Sequence, residues 1–178
     1  MQEEVLRFWF QELDAAQWWA KDDALDQLIR ARFGELYAQA AACELYPWRA
    51  TPLGRLAEII VLDQFSRNIY RDLPQAFACD ALALGLAQEA VANGIDRTLS
   101  PIERSFLYLP FMHSESQRIH EWAVRLYEAN GLANKLDFEL RHKAIIDRFG
   151  RYPHRNALLG RSSTAEEEAF LEQPGSSF

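Results

Sequence analysis

Cysteine is almost missing from this chain. Cys43 and Cys79 are the two in 178 residues, too few for a disulfide framework and without the spacing of a zinc site. Both are expected as free thiols in a reducing compartment. Glycine is scarce too, at eight residues, and none forms a phosphate-binding loop. No apolar run approaches the roughly 18 residues that a membrane span needs. The opening Met1-Gln-Glu-Glu-Val5 lacks a basic stretch followed by an apolar one, the pattern of a signal peptide. These absences predict a cytoplasmic protein with no membrane partner. Positive charge is in deficit as well: 19 Lys and Arg against 26 Asp and Glu leave a net charge of −7. Such a chain repels phosphate backbones, so no nucleic acid is expected as a partner.

What is present suits a packed globule. Hydrophobic residues make up 49% of the chain, and the length fits one domain over residues 1–178. An internal echo suggests that this domain has two related halves. Asp63-Gln-Phe-Ser-Arg-Asn-Ile-Tyr-Arg71 returns 84 residues later as Asp147-Arg-Phe-Gly-Arg-Tyr-Pro-His-Arg155. Asp63 matches Asp147, Phe65 matches Phe149, Arg67 matches Arg151 and Arg71 matches Arg155. Each copy follows an apolar run, and such repeats signal a duplicated structural unit.

Every strong pattern is helical. Apolar residues at helical spacing predict helices over residues 3–13 and 22–43. Thr51-Pro52 starts a helix that runs to about Arg67, with Asn68 as a left-handed stop. The alanine- and leucine-rich stretch 76–92 stops at Asn93-Gly94. Capping boxes start at Ser100, Ser114 and Thr164, Pro110 breaks the helix after Ser100, and residues 134–149 run to Gly150. About eight helices and no strand point to an all-α fold of antiparallel helical hairpins. The hairpins close into a bundle or stack into a superhelix with a concave face.

The polar residues cluster. Asp63 opposes the dipole at a helix end and needs a partner, either Arg67 four residues on or something further away. Arg67-Asn68 and Arg155-Asn156 each set a guanidinium fork beside an amide, suited to a carboxylate or phosphate. Residues 141–161 hold Arg141, Lys143, Arg148, Arg151, Arg155 and Arg161 against one acid, Asp147. Such a patch serves a small anion or an acidic segment of a partner, or it is spent on internal salt bridges. His113-Ser-Glu115 follows the Pro110 break and offers an acid–base pair. Capping accounts for Ser114 and Glu115 and leaves His113 without a structural duty. Glu139-Leu-Arg-His142 has the spacing of a di-iron site but occurs once, so no metal is expected. Ser66, Asp63 and His113 are the residue types of a triad, without a nucleophile elbow. The tryptophans read as core, with Trp18-Trp19 able to flank a groove.

These residues also form long motifs: Val5-Leu-Arg-Phe-Trp-Phe10, Trp18-Trp-Ala-Lys-Asp22, Leu62-Asp-Gln-Phe-Ser-Arg-Asn-Ile69, Leu109-Pro-Phe-Met-His-Ser-Glu115, Phe149-Gly-Arg-Tyr-Pro-His-Arg-Asn156 and Leu159-Gly-Arg161. Through them nearly the whole chain resembles the bacterial family known as domain of unknown function 924. The resemblance implies a tetratricopeptide-repeat-like right-handed superhelix and no known activity or cofactor. It marks Asp63, Arg67, Asn68, His113, Glu115, Arg151, His154, Arg155 and Asn156 as motif positions. The chain departs from the family pattern at Ser66, where the family has proline, and at Cys43 and Asp72, where it has glycine. The expected function is a binding module whose Arg/Asn/His-lined pocket takes a small anionic or carboxylate-bearing ligand. The alternatives are a hydrolase using His113 with Glu115 or Asp63, and an interaction scaffold without a small-molecule site.

Overall fold

In the computed structural model, which describes residues 1–176, the chain is all-α and no strand occurs among the described residues. The hub is a rod in which α3 (Pro52–Ile59) runs through a π-helical stretch, Ile60–Phe65, into α4 (Ser66–Ile69). Thr51 caps it by accepting from Gly54 N (3.1 Å), and Pro52 stands at its first position. Leu56, Ile59, Ile60, Val61, Leu62 and Phe65 are all completely buried. A helix that is apolar on every side belongs inside a protein. Around it pack α1 (Gln2–Arg7), α2 (Asp23–Ala41), α5 (Asp80–Ala92) and α6 (Pro101–Leu107). Each large apolar side chain buried there contributes roughly 1.5–3 kcal/mol. Gly54 permits a close approach to the preceding turn, because a Cβ there would lie 2.1 Å from the Trp48 carbonyl oxygen.

The second half adds α7 (Leu109–Met112), α8 (Gln117–Asn130), α9 (Ala133–Phe149) and α10 (Ala165–Leu171). Gly131, at φ 78°, turns α8 back along α9 as a helical hairpin. A smaller apolar cluster of Ile145, Ile146 and Tyr152, with Phe149 and Phe170 against it, lies at this end. Among the described residues no helix is long and apolar enough to cross a membrane.

The helix starts at Thr51, Ser100 and Thr164 form as the sequence predicts, the last two as complete capping boxes. Ser114 does not cap: α8 begins after Ser116, with no side-chain cap. Asn68 does not stop its helix either, since it lies inside α4 and its amide is drawn to Asp26. The left-handed residue is Asp72, at φ 61°. With Cys43, at φ 60°, it is one of two non-glycine residues in that region among those described. Both stand where the family resemblance expects glycine, the residue that adopts this conformation without a steric cost.

Candidate functional site

Asp63 lies in the π-helical stretch with no exposed surface. π-Turns within α-helices are rare and gather at functional sites. The widened turn presents the Asp63 carbonyl to the side chains of Arg67 (Nη1, 2.6 Å) and Ser66 (Oγ, 3.0 Å). Its carboxylate accepts from Gln64 Nε2 (2.6 Å) and meets His113 Nδ1 at 2.8 Å. Burial alone would raise this carboxyl, but the charge of Arg67 and the bonds from His113 and Gln64 hold it well below the usual range. Asp63 is therefore an anion, and His113 turns Nδ1–H toward it.

Burial and the charge of Arg67 depress the His113 pKa, and together they outweigh the pull of Asp63. A neutral imidazole with hydrogen on Nδ1 carries its lone pair on Nε2. That nitrogen has no hydrogen-bond partner among the described residues and is not one of the buried polar atoms left without one. It therefore keeps contact with solvent, and His113 is one of the residues that border a cleft of about 370 Å³.

The cleft lies where α5 faces α7 and the 153–159 turn. Its apolar wall includes Pro74, Phe77, Leu84, Pro110 and Leu159, and its polar end is His113, Ser114, Glu115, Asp80 and Arg155. Asp80 joins the two echoed segments. It accepts both fork nitrogens of Arg67 at 3.0 Å and one contact from Arg155 Nη1 at 3.3 Å. The Arg155 guanidinium also lies 4.6 Å from the ring centres of both Phe77 and Tyr152, within cation–π range. Its Nε is buried without a partner. Burial and the like charge of Arg67 lower its pKa, against the pull of Asp80, Tyr152 and Glu115. Arg155 is thus incompletely neutralised.

Glu115 is not the partner of His113. It takes Arg161 in a two-point pair (2.6 and 2.9 Å) and the backbone N–H of Tyr152 (2.7 Å). Burial opposes its ionisation, and Arg161 and the Tyr152 N–H more than reverse that, so its pKa is lowered. Asn156, almost fully buried, accepts from Arg161 Nε (2.9 Å) and donates to Ser163 Oγ (3.1 Å). It positions Arg161 and does not line the cleft. The turn carrying His113 is held from below by His120. The Ser114 carbonyl can only accept, so the hydrogen at 2.8 Å is on His120 Nε2, and Nδ1 meets Glu139 Oε1 at 2.7 Å. Burial raises the Glu139 carboxyl pKa against the pull of His120 and Lys143.

Several motif residues are employed elsewhere. Arg151 forms a two-point pair with Glu167 (2.6 and 2.7 Å). Asn68 binds Asp26, which also accepts the fork of Arg71. His154 is not among the cleft-lining residues, and burial followed by the charge of Arg155 lowers its pKa to about 4. Asp147 lies at the surface on Lys143 (2.5 Å). The basic stretch is largely spent on ion pairs: Arg141 with Asp137, Arg148 with Glu166, Arg161 with Glu115. Asp80 and Arg161, both central here, were outside the sequence-based set. For Arg161 a signal existed in Leu159-Gly-Arg161; for Asp80 none did.

Among the described residues no three His, Cys, Asp or Glu side chains gather as metal ligands. His142 donates Nδ1–H to the Phe138 carbonyl (2.7 Å), so the Glu139/His142 spacing serves local bonding. A larger hollow, about 640 Å³, runs along α8 beside Arg118, Trp122 and Arg125. It has one helix for a wall and no acid–base group.

Comparison with known proteins bears on the fold and the family. No curated protein matches the chain. A solved structure of a protein of unknown function from Agrobacterium tumefaciens, ATU0120, is similar at 36% identity, with 96% of each chain covered and a TM-score of 0.91. Residues 5–175 match the model of a family described as bacterial protein of unknown function (DUF924). The chain belongs to that family.

Proposed function

We propose that the cleft between α5 and the 153–159 turn binds a small organic molecule with an apolar body and a carboxylate or phosphate at one end. The observation that carries this reading is Arg155. A guanidinium this deeply buried costs several kcal/mol unless it is matched. Here it receives one contact of 3.3 Å from a carboxylate already gripped by Arg67, and its Nε has none. A ligand anion at the cleft would complete the match, and Phe77, Leu84 and Leu159 would cover the apolar part. The reading makes the protein a binding module.

Calorimetry and thermal unfolding with adipate and with inorganic phosphate test it. A ligand at 100 times its dissociation constant should add about 2.7 kcal/mol of stability. Arg155→Gln should lose that gain, whereas Arg151→Gln, whose fork is on Glu167, should keep it. No shift with either anion, or an equal shift in Arg155→Gln, would sink the reading.

A further inference from the structure

Asp63 and His113 form a buried pair with one open nitrogen, and anion binding has no use for it. A binding site gains little from a histidine held neutral. A base gains a great deal, because a carboxylate behind Nδ1 fixes the tautomer, aims the lone pair and stabilises the cation formed when Nε2 takes a proton. No serine, cysteine or lysine is hydrogen-bonded to Nε2 among the described residues, so the group that such a base would activate is water. The cleft is open to solvent at His113, which is 14% exposed.

We infer that the protein hydrolyses small carboxylate-bearing esters in this cleft, with His113 Nε2 as the general base. A water O–H bond breaks, its proton goes to Nε2, and the oxygen forms a bond to the acyl carbon. The C–O bond to the alcohol then breaks, and Nε2 returns the proton to the departing oxygen. Asp63 stays ionised throughout and keeps Nδ1–H. The sum is ester plus water giving acid plus alcohol, with no other reactant. The substrate class rests on the proposed role of Arg155 as the carboxylate anchor; the apolar wall takes the chain between anchor and ester.

Rates of 4-nitrophenol release from mono-4-nitrophenyl adipate and from 4-nitrophenyl hexanoate test both steps separately. The purified full chain should accelerate the adipate ester. His113→Ala should lose at least about 100-fold of that acceleration, and Asp63→Asn, which keeps the shape but not the charge, should lose a comparable factor. His113→Gln, with circular dichroism on each variant, guards against a folding defect. Arg155→Gln should raise KM for the adipate ester by a much larger factor than for the hexanoate ester, which has no carboxylate for it to hold. The rate should fall on acidification only below the ordinary histidine value of about 6.5, because His113 titrates lower and its neutral form is active. Wild-type protein no faster than buffer on either ester, or a folded His113 variant with full activity, overturns hydrolysis. If adipate still binds in calorimetry in that case, the binding reading survives alone. If the hexanoate ester is cleaved but Arg155→Gln changes nothing, the anchor fails and the base stands.

Discussion

Segments 63–71 and 147–155 share an aspartate and two arginines at the same spacing and live in different surroundings. Asp63 is sealed inside a π-helical turn against His113, Gln64 and Arg67. Asp147, its counterpart, lies on the outer face of α9 and pairs with Lys143 at a side-chain exposure of 45%. Arg67 points inward to Asp80, whereas Arg151 reaches Glu167. The two segments do meet, but through Arg67 and Arg155 on a carboxylate that neither contains. Identity of residue is therefore a weak guide to role. The low-dielectric setting, not the letter, makes one aspartate the buried partner of a histidine and the other a solvated surface charge.

The largest test of that contrast is to remove each aspartate. Asp63→Ala strands Arg67 and His113 in the interior and should cost about 3–5 kcal/mol. Asp147→Ala should cost less than about 1 kcal/mol. Urea unfolding of the two variants measures the gap; similar losses would show that burial does not separate the copies.

Asp80 is the joint between the segments. Asp80→Asn weakens the hold on two guanidiniums and should cost about 2–3 kcal/mol. If Arg67 and Arg155 share it, Asp80→Asn combined with Arg155→Met should destabilise by less than the two changes summed, by about 1 kcal/mol. Strict additivity would mean that the 3.3 Å contact of Arg155 contributes nothing.

Acid should act on the two segments differently. His154, in the second, is held down to about 4, below its unfolded value of about 6.5. A histidine lowered in the folded state gives stability that is complete above the unfolded value and is lost as pH falls toward the folded one. Between pH 6.5 and 4 the protein should lose about 2–3 kcal/mol on this account, or roughly 2–4 °C of Tm per kcal/mol. His154→Gln should flatten that slope. Asp63, with a strongly lowered pKa, should contribute its own loss only in much stronger acid.

The smallest effect concerns the helix ends. The second segment turns on Gly150 at φ 69°, the first on Asp72 at φ 61°. Asp72→Gly should stabilise by about 0.5–1 kcal/mol, the relief of a side chain in left-handed backbone less the freedom gained on unfolding. The exposed Lys21–Asp72 pair that it removes offsets little of this.

Much of this was legible before any coordinates. Capping residues at Thr51, Ser100 and Thr164 mark helix starts because the cap is a contact between neighbours in the chain. The all-apolar run around Ile60 announces a buried rod, and a carboxylate inside such a run must find a partner. Asp63 stood out because it opposes the dipole at a helix end, and His113 because capping left it without a duty. Such reasoning did not reach the π-helical stretch Ile60–Phe65, and it set at the site Asn68 and Arg151, which the structure gives to Asp26 and Glu167.

The sequence by itself determined the class of fold and the positions of most helix starts, because these depend on periodicity and on contacts a few residues apart; the motif residues came through the family resemblance. Only the tertiary structure decided that His113 faces Asp63, 50 residues away, and not Glu115. It likewise brought Asp80 and Arg155 together across 75 residues. Such pairings follow from which helix faces meet, and the chain encodes them in the packing of the whole core, not in any local pattern that spacing could reveal.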